Sequence, residues 1–452
     1  MIGTARDQHP PLHYLILAAW QQLVGSTPYA LRLFSVIVAT LGVALAGRLA
    51  VVWFGRPAGW IALALMATLP FHIWYSQEAR MYALLATMTI ASFLLLDRIA
   101  HRPTFWPYLG YVVLAAAMLY TQYYAMFVIA TQSLIWLLIA DRLSIRACLA
   151  WIAAQCSVAL LFLPWLPVFL DQITNHKMTW LTNPGPSQLA LSLVEVITGL
   201  RLHDQPPAGI ERTVGVAVAL VCLGAVVLTR IAGRGESARN NRVRYVLTTE
   251  LWFLVPLGMS IAVTSLVTPI FQEKHLLSFL PGLILAGAAL ISLVPHFAFR
   301  GLLLLIVIVV MSPGINAGWF IYGKQDWRGV TDYMLRERQS TDIVLLNPGA
   351  ASLAITYFAR QRGIEELPVA GFPFVFDAAR GPWVGERATA ESVRGLLDGL
   401  RRDHRRIWLI QYSSSFWDPE GQIVRQLRAI GQPVAIRQFR SLDVQLYDVP
   451  PP

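Results

Sequence analysis

Charge is what this chain has least of. Only 14% of its 452 residues are Asp, Glu, Lys or Arg, 56% are hydrophobic, and the mean hydropathy is +0.53. A soluble globular protein carries about 25% charged residues. The deficit is also uneven: residues 323–452 hold 17 of the 36 Lys+Arg and 15 of the 26 Asp+Glu, leaving 19 and 11 for the first 322. A stretch so poor in charge cannot cover itself with polar surface, and must face lipid. Cysteine is scarce as well. Cys148, Cys156 and Cys222 all fall in apolar segments, which excludes a disulfide framework and leaves no metal spacing, so they read as small buried residues. A Gly-rich phosphate loop, a His/Cys metal cluster and an internal repeat are all missing, and no inward-facing loop is long enough for an ATPase or kinase domain. Without a nucleotide-binding segment, the positive net charge of +10 needs another explanation.

The apolar runs supply it. A helix crossing the roughly 30 Å hydrocarbon core needs about 20 mostly apolar residues. That rule predicts ten spans, near 28–52, 57–75, 81–97, 105–120, 122–140, 147–169, 213–231, 248–268, 276–294 and 301–322. Alternate loops differ in charge. One set holds Arg48, Arg56, Arg98, Arg102, Arg142, Arg146, Arg230, Arg234, Arg239, Arg242, Arg244 and Arg300 against three acids, Asp97, Asp141 and Glu236. The other holds seven of each sign. The positive-inside rule puts the first set in the cytoplasm, so the basic excess is a topology signal and nucleic acid is not needed as a partner. Residues 1–27, 76–80, 121–124, 170–212, 269–275 and 323–452 are then expected outside. Residues 12–24 and 187–200 are too short to span and read as interfacial helices.

The polar remainder has mixed periodicity. Residues 342–347 and 406–411 read as short buried strands, 351–361, 392–403 and 421–430 as helices, and 444–447 as a closing strand. The expected architecture is a polytopic helical membrane domain, 1–322, followed by a small soluble α/β domain, 323–452, on the outer face.

Ionisable groups at the rim of an apolar bundle are costly and mark candidate sites. Asp7-Gln8-His9-Pro10-Pro11-Leu12 precedes the first interfacial helix. Asp7 is either a plain helix cap or a functional acid. Glu78 and Arg80, in Ser76-Gln77-Glu78-Ala79-Arg80-Met81-Tyr82, form either a local ion pair or a carboxylate that positions a hydroxyl or metal beside a guanidinium that grips an anion. Lys274 and His275 are placed to hold a lipid phosphate at headgroup level, or simply to reach the interface. Arg32, one turn into the first span, is in range of the same anion. Gln122, Tyr123 and Tyr124 make an aromatic, hydrogen-bonding edge of the kind found in interfacial belts. Asn175, His176 and Lys177 fall in the long outer loop, where an acceptor groove is the functional alternative.

Taken together, Asp7-x-His9-Pro10-Pro11-Leu12-x-Tyr14, Ala30-Leu31-Arg32-Leu33 and Tyr75-Ser76-Gln77-Glu78-Ala79-Arg80-x-Tyr82 resemble the bacterial polyprenyl-phosphate-dependent glycosyltransferases. These are GT-C fold enzymes related to the protein O-mannosyltransferases, the lipid A aminoarabinose transferases and the rhizobial lipopolysaccharide galacturonosyltransferases. The likeness runs from residue 7 to about 322. Lys274-His275 with Pro281 resembles the family's Arg-Tyr…Pro segment, and Asp326-Trp327-Arg328 its junction to the outer domain. The resemblance implies a sugar donor on a polyprenyl phosphate, an acidic residue that deprotonates the acceptor hydroxyl, and inversion at the anomeric carbon. The leaving phosphate is stabilised by cations or by a divalent metal, with Asp7 and Glu78 as candidate ligands. On this reading Asp7 and Glu78 are catalytic, while His9, Arg32, Arg80, Lys274, His275, Tyr123 and Tyr124 bind the donor. The partners are the lipid donor, a glycan, lipid or protein acceptor, and the bilayer of a bacterial cytoplasmic membrane.

One departure stands out. Family members place the catalytic base upstream of His-Pro-Pro, after a first membrane helix, whereas Asp7 matches the acid within the Asp-x-His-Pro-Pro motif. With ten spans both termini lie outside, yet the chain opens without a signal peptide. A preceding helix carrying the base is therefore expected before Met1. The alternatives are that Asp7 substitutes for that base, or that the protein is impaired and binds lipid-linked glycan without turning it over. A transporter is disfavoured, because no inverted repeat or midplane charge pair is present.

Overall fold

The computed structural model describes residues 9–140, 144–175, 183–199, 236–316, 324–373, 375–377, 381–384, 387–412 and 417–452. The chain divides into two compact units, Met1–Gly318 and Trp319–Pro452. The first is helical: α1 (Leu12–Val24), α2 (Pro28–Phe54), α3 (Arg56–Thr68), α4 (Pro70–Ser76), α5 (Tyr82–His101), α6 (Phe105–Thr121), α7 (Ala125–Ile139), α8 (Ile145–Phe162), α9 (Leu166–Asn175), α10 (Pro186–Thr198), α11 (Glu236–Leu266), α12 (Leu280–Ser292) and α13 (Phe297–Asn316).

Among the described residues, five helices are long and apolar enough to cross a membrane, or six if the bent pair α3–α4 is one span. The helices differ in detail from the ten expected stretches. The stretch 57–75 is not one straight helix. Pro70 has no N–H to continue the ladder, and α3 and α4 meet at 60° there. Helices α6, α7 and α12 have only 17, 15 and 13 residues; at about 1.5 Å per residue they fall short of the hydrocarbon thickness. The sixth stretch is longer than expected, since α8 and α9 together give a candidate span over Ile145–Thr174. The expected span 213–231, with Cys222, lies outside the described residues. Cys156 is exposed on α8 rather than buried.

Small residues and local hydrogen bonds draw these helices together. Thr27 caps α2, its hydroxyl accepting from the Ala30 N–H at 3.1 Å ahead of Pro28. A Cβ on Gly282 would lie 2.6 Å from the Thr249 carbonyl, so only glycine lets α12 approach α11 this closely. At the end of the bundle where Arg48, Arg56, Arg98, Arg102, Arg242 and Arg244 gather, Asp97 accepts from Trp53 Nε1 at 2.9 Å and the Tyr245 hydroxyl at 3.1 Å. That bond set ties α2, α5 and α11. Inside the bundle, Gln132 links Ser92 (2.6 Å) to Tyr111 (3.0 Å), satisfying polar groups that lipid could not.

In the second unit α14 (Trp327–Glu337) leads into a five-stranded sheet of order β2-β1-β5-β7-β6. Its strands are β1 (Asp342–Asn347), β2 (Val369–Gly371), β5 (Arg406–Gln411), β6 (Pro433–Phe439) and β7 (Leu442–Asp448), while β3 (Val375–Asp377) and β4 (Gly381–Val384) form a separate pair. β1 is parallel to β2 and β5; β7 runs antiparallel to β5 and β6. Alternate side chains serve two cores. Val344, Leu346, Trp408 and Ile410 pack with Val330 and Met334 of α14 and Ile355 of α15 (Ser352–Arg360). Ile343, Leu345, Ile407 and Leu409 pack with Val393 of α16 (Ala390–Asp403) and Ile423 of α17 (Gln422–Ile430). Burial on both faces explains the unbroken apolar runs of β1 and β5.

Candidate functional site

The segments expected on one side of the membrane, 9–13, 76–82, 122–124 and 272–275, converge at one end of the first unit. The bend at Pro70 sends α4 into the loop that carries Glu78 and Arg80, after which Tyr82 opens α5. Glu78 is half-buried and Arg80 is exposed, and both engage neighbouring groups. His13, on the buried face of α1, sits beside this loop. Burial lowers its pKa to about 4; the Ala79 backbone opposes the shift and the Arg80 charge adds to it.

Opposite lies a two-turn 3-10 helix, Glu273–Ser278, held by Trp252 Nε1 donating to the Ser278 carbonyl at 3.2 Å. It presents Lys274 and His275. Lys274 Nζ stands 5.7 Å from the centroid of the Tyr82 ring. Burial, and then the Arg80 charge, lower its pKa to about 8, against the pull of Glu78 and Glu273. Lys274, Arg80, Glu78 and Glu273 thus share one electrostatic neighbourhood. Glu273 Oε1 accepts a 3.0 Å bond from Ser192 Oγ, which brings α10 to the same place. His275 is buried, and burial followed by Lys274, His9 and Arg80 holds its pKa well below the usual value. Its ring stacks on Tyr124 at 4.1 Å, meets the edge of Tyr82 at 5.9 Å, and contacts Gln122 Nε2 through Nδ1 at 3.1 Å.

The structure gathers His9, Glu78, Arg80, Lys274, His275 and Tyr124. Asp7, His176 and Lys177 lie outside the described residues. Arg32 is exposed on α2 and makes no hydrogen bond or ion pair among the described residues. Tyr123 and Tyr124 spend their hydroxyls on protein. Tyr123 bonds Gln172 and accepts from Trp165 Nε1 at 3.0 Å, while Tyr124 donates to the Ile270 carbonyl at 2.7 Å. Tyr124 therefore reaches the site through His275. His13, Ser192 and the bridging role of Gln122 are not evident from the sequence alone. The available signals were a lone His in an apolar helix and a polar residue at a helix break. No group of three His, Cys, Asp or Glu side chains able to ligate a metal occurs among the described residues, and Glu78 by itself does not make a metal site.

This end of the bundle can therefore hold an oxyanion between Lys274 and Arg80 with a carboxylate beside it, where the apolar helices meet a polar rim. No curated protein matches the chain. Crystal structures of ArnT from Cupriavidus metallidurans are similar to it over 97% of its length. The apo form shows 11% identity over 87% of that chain with a TM-score of 0.47. The form bound to undecaprenyl phosphate shows 12% over 88% with a TM-score of 0.43. Residues 8–167 match the dolichyl-phosphate-mannose-protein mannosyltransferase family, so over about a third of its length, including the Glu78–Arg80 loop, the chain is similar to that family.

Proposed function

We propose that the chain is an integral membrane glycosyltransferase of GT-C type. It moves a sugar from a polyprenyl-phosphate donor to an acceptor hydroxyl at the outer face of a bacterial cytoplasmic membrane, with inversion. The observation that carries this reading is the grouping of Glu78, Arg80 and Lys274 at one end of an apolar bundle. The family match over 8–167 supports the reaction class.

On this reading the lipid tail lies among the apolar helices and the phosphate rests between Lys274 and Arg80. Glu78 takes the proton of the acceptor hydroxyl as its oxygen attacks the anomeric carbon. The bond from that carbon to the phosphate oxygen breaks, and the cations stabilise the dianionic lipid phosphate that leaves. Asp7 belongs to the same proposal as a second acid. Outer-face placement rests on the excess of arginine at the opposite end of the bundle.

Membranes containing the full chain, supplied with a labelled polyprenyl-phosphate sugar, are expected to transfer label to an endogenous acceptor. Glu78→Gln should lower transfer by about a hundredfold or more, the scale of removing a general base. Transfer that survives Glu78→Gln intact would remove Glu78 from its assigned role. Donor binding without any transfer would make the chain a lipid-linked glycan binder.

A further inference from the structure

His275 sits at the centre of the site, and its neighbours determine which of its nitrogens carries the proton. Gln122 is the residue that follows α6 directly. Its Oε1 lies 2.5 Å from the backbone N of Tyr124. An N–H can only donate, so the atom facing it must be the amide oxygen. That fixes the orientation of the amide and leaves Nε2, with two hydrogens and no lone pair, 3.1 Å from His275 Nδ1. A donor facing Nδ1 requires Nδ1 to accept, and in a neutral imidazole the hydrogen then resides on Nε2.

The surroundings favour the neutral ring. Gln122 and His275 are both buried. Of the groups facing the ring, Lys274, His9 and Arg80 oppose a positive charge on it, while Tyr82 and Tyr124 are uncharged aromatics. Protonating Nδ1 would also set one N–H against another at 3.1 Å. The ring is held in its plane by Tyr124, whose hydroxyl is pinned between the Ile270 carbonyl at 2.7 Å and Ser260 Oγ at 3.1 Å. Nε2 has no hydrogen-bond partner among the described residues.

We infer that Gln122 is a positioning residue that holds His275 as its Nε2–H tautomer, so that the ring donates a hydrogen bond to an oxyanion and takes no part as a proton acceptor. Identifying that oxyanion as the phosphate of a polyprenyl-phosphate rests on the function proposed above; the tautomer does not. Proton removal then falls to a carboxylate, and discrimination for the phosphate comes from a neutral donor placed beside two cations.

Nitrogen-15 spectra of the purified full chain in lipid nanodiscs test this. The His275 resonances are identified by their loss in His275→Gln. At neutral pH the wild type should show an imine-type signal at Nδ1 and a pyrrole-type signal at Nε2. Gln122→Glu places an acceptor against Nδ1, so Nδ1 should change to pyrrole type. A wild-type Nδ1 that is already pyrrole type would overturn the proposal without any variant being needed, as would a Gln122→Glu spectrum that does not change. Adding a polyprenyl phosphate should shift the Nε2 resonance, and the absence of a shift would refute the donor role. In the transfer assay Gln122→Glu should lower kcat/KM about tenfold to a hundredfold, and the double variant with His275→Gln should be no worse than His275→Gln alone. If the wild type transfers no sugar but shows the expected tautomer, the proposed function fails while the tautomer assignment stands.

Discussion

Lys274 offers a quantitative test, because the structure places its titration inside an accessible pH range. An exposed lysine titrates near pH 10.4; burial and the Arg80 charge bring this one to about 8. At pH 7 about nine tenths of the chains then carry the ammonium, and at pH 9 about one tenth. If the charged form is what holds the donor phosphate, transfer should fall about tenfold per pH unit above pH 8, since each unit corresponds to about 1.4 kcal/mol. Lys274→Arg keeps a cation whose pKa exceeds about 12 and should abolish this alkaline limb. Lys274→Met should lower kcat/KM at pH 7 by about tenfold to a hundredfold, the worth of a hydrogen bond to a charged group, and the gap to the wild type should close above pH 8 as Lys274 itself loses its charge. Glu78→Gln adds a directional check. Glu78 raises the Lys274 pKa, so its neutralisation should move the limb in the residual activity to lower pH. Initial rates with a labelled polyprenyl-phosphate sugar in nanodiscs, from pH 6 to pH 10, read all of these. An alkaline limb near pH 8 that persists in Lys274→Arg, or that the wild type lacks, refutes the reasoning.

Other consequences follow from single contacts. Asp342 is 1% exposed and accepts from Arg406 Nε (2.8 Å) and Nη2 (2.7 Å), Trp408 Nε1 (2.8 Å) and the Gln339 N–H (3.0 Å). Asp342→Ala would leave that guanidinium without its buried partner and should destabilise the second unit by about 3–5 kcal/mol, read by thermal melting and by faster proteolysis within 324–452. His13 is neutral in the fold, with a pKa of about 4 against about 6.5 unfolded. The unfolded chain therefore takes up the proton first as pH falls, so stability is full above pH 6.5 and drops by about 3 kcal/mol between pH 6.5 and 4. His13→Phe, which keeps a ring against Phe34, should shrink the loss of melting temperature on acidification; an unchanged loss would place the titrating group elsewhere. Gly282→Val should prevent α12 from closing on α11 and lower the yield of folded protein, checked by monodispersity after extraction; a monodisperse, active variant would show that the close approach is dispensable.

Much of the fold is legible from local patterns. Strands β1 and β5 fall where unbroken apolar runs place them, because a strand buried on both faces leaves a compact, residue-level signature. Helix α1 also falls where expected, since it is bounded by Pro10-Pro11 and by Gly25-Ser26. Strand β6 was not legible: its Val434 and Ile436 are exposed at the sheet edge, so neither alternation nor a continuous run announces it. The break at Pro70 was hidden because hydropathy counts composition and ignores a missing hydrogen bond. At the site, the residues that stand out in apolar surroundings, Glu78, Arg80, Lys274 and His275, could be read directly. Their arrangement could not. The Gln122–His275 bond spans 153 residues, and the Ser192–Glu273 bond joins a helix to a distant turn. Contacts of that separation depend on how the helices pack, which no local spacing encodes.

The most direct measurement of the central claim is a stoichiometric one. Purified full chain in nanodiscs, given a doubly labelled polyprenyl-phosphate sugar and a membrane extract as acceptor source, should release one lipid phosphate for each sugar transferred. Glu78→Gln and Lys274→Met should lower both quantities together. Sugar transfer from a nucleotide sugar but not from the lipid donor, or lipid turnover that ignores both substitutions, would contradict the account.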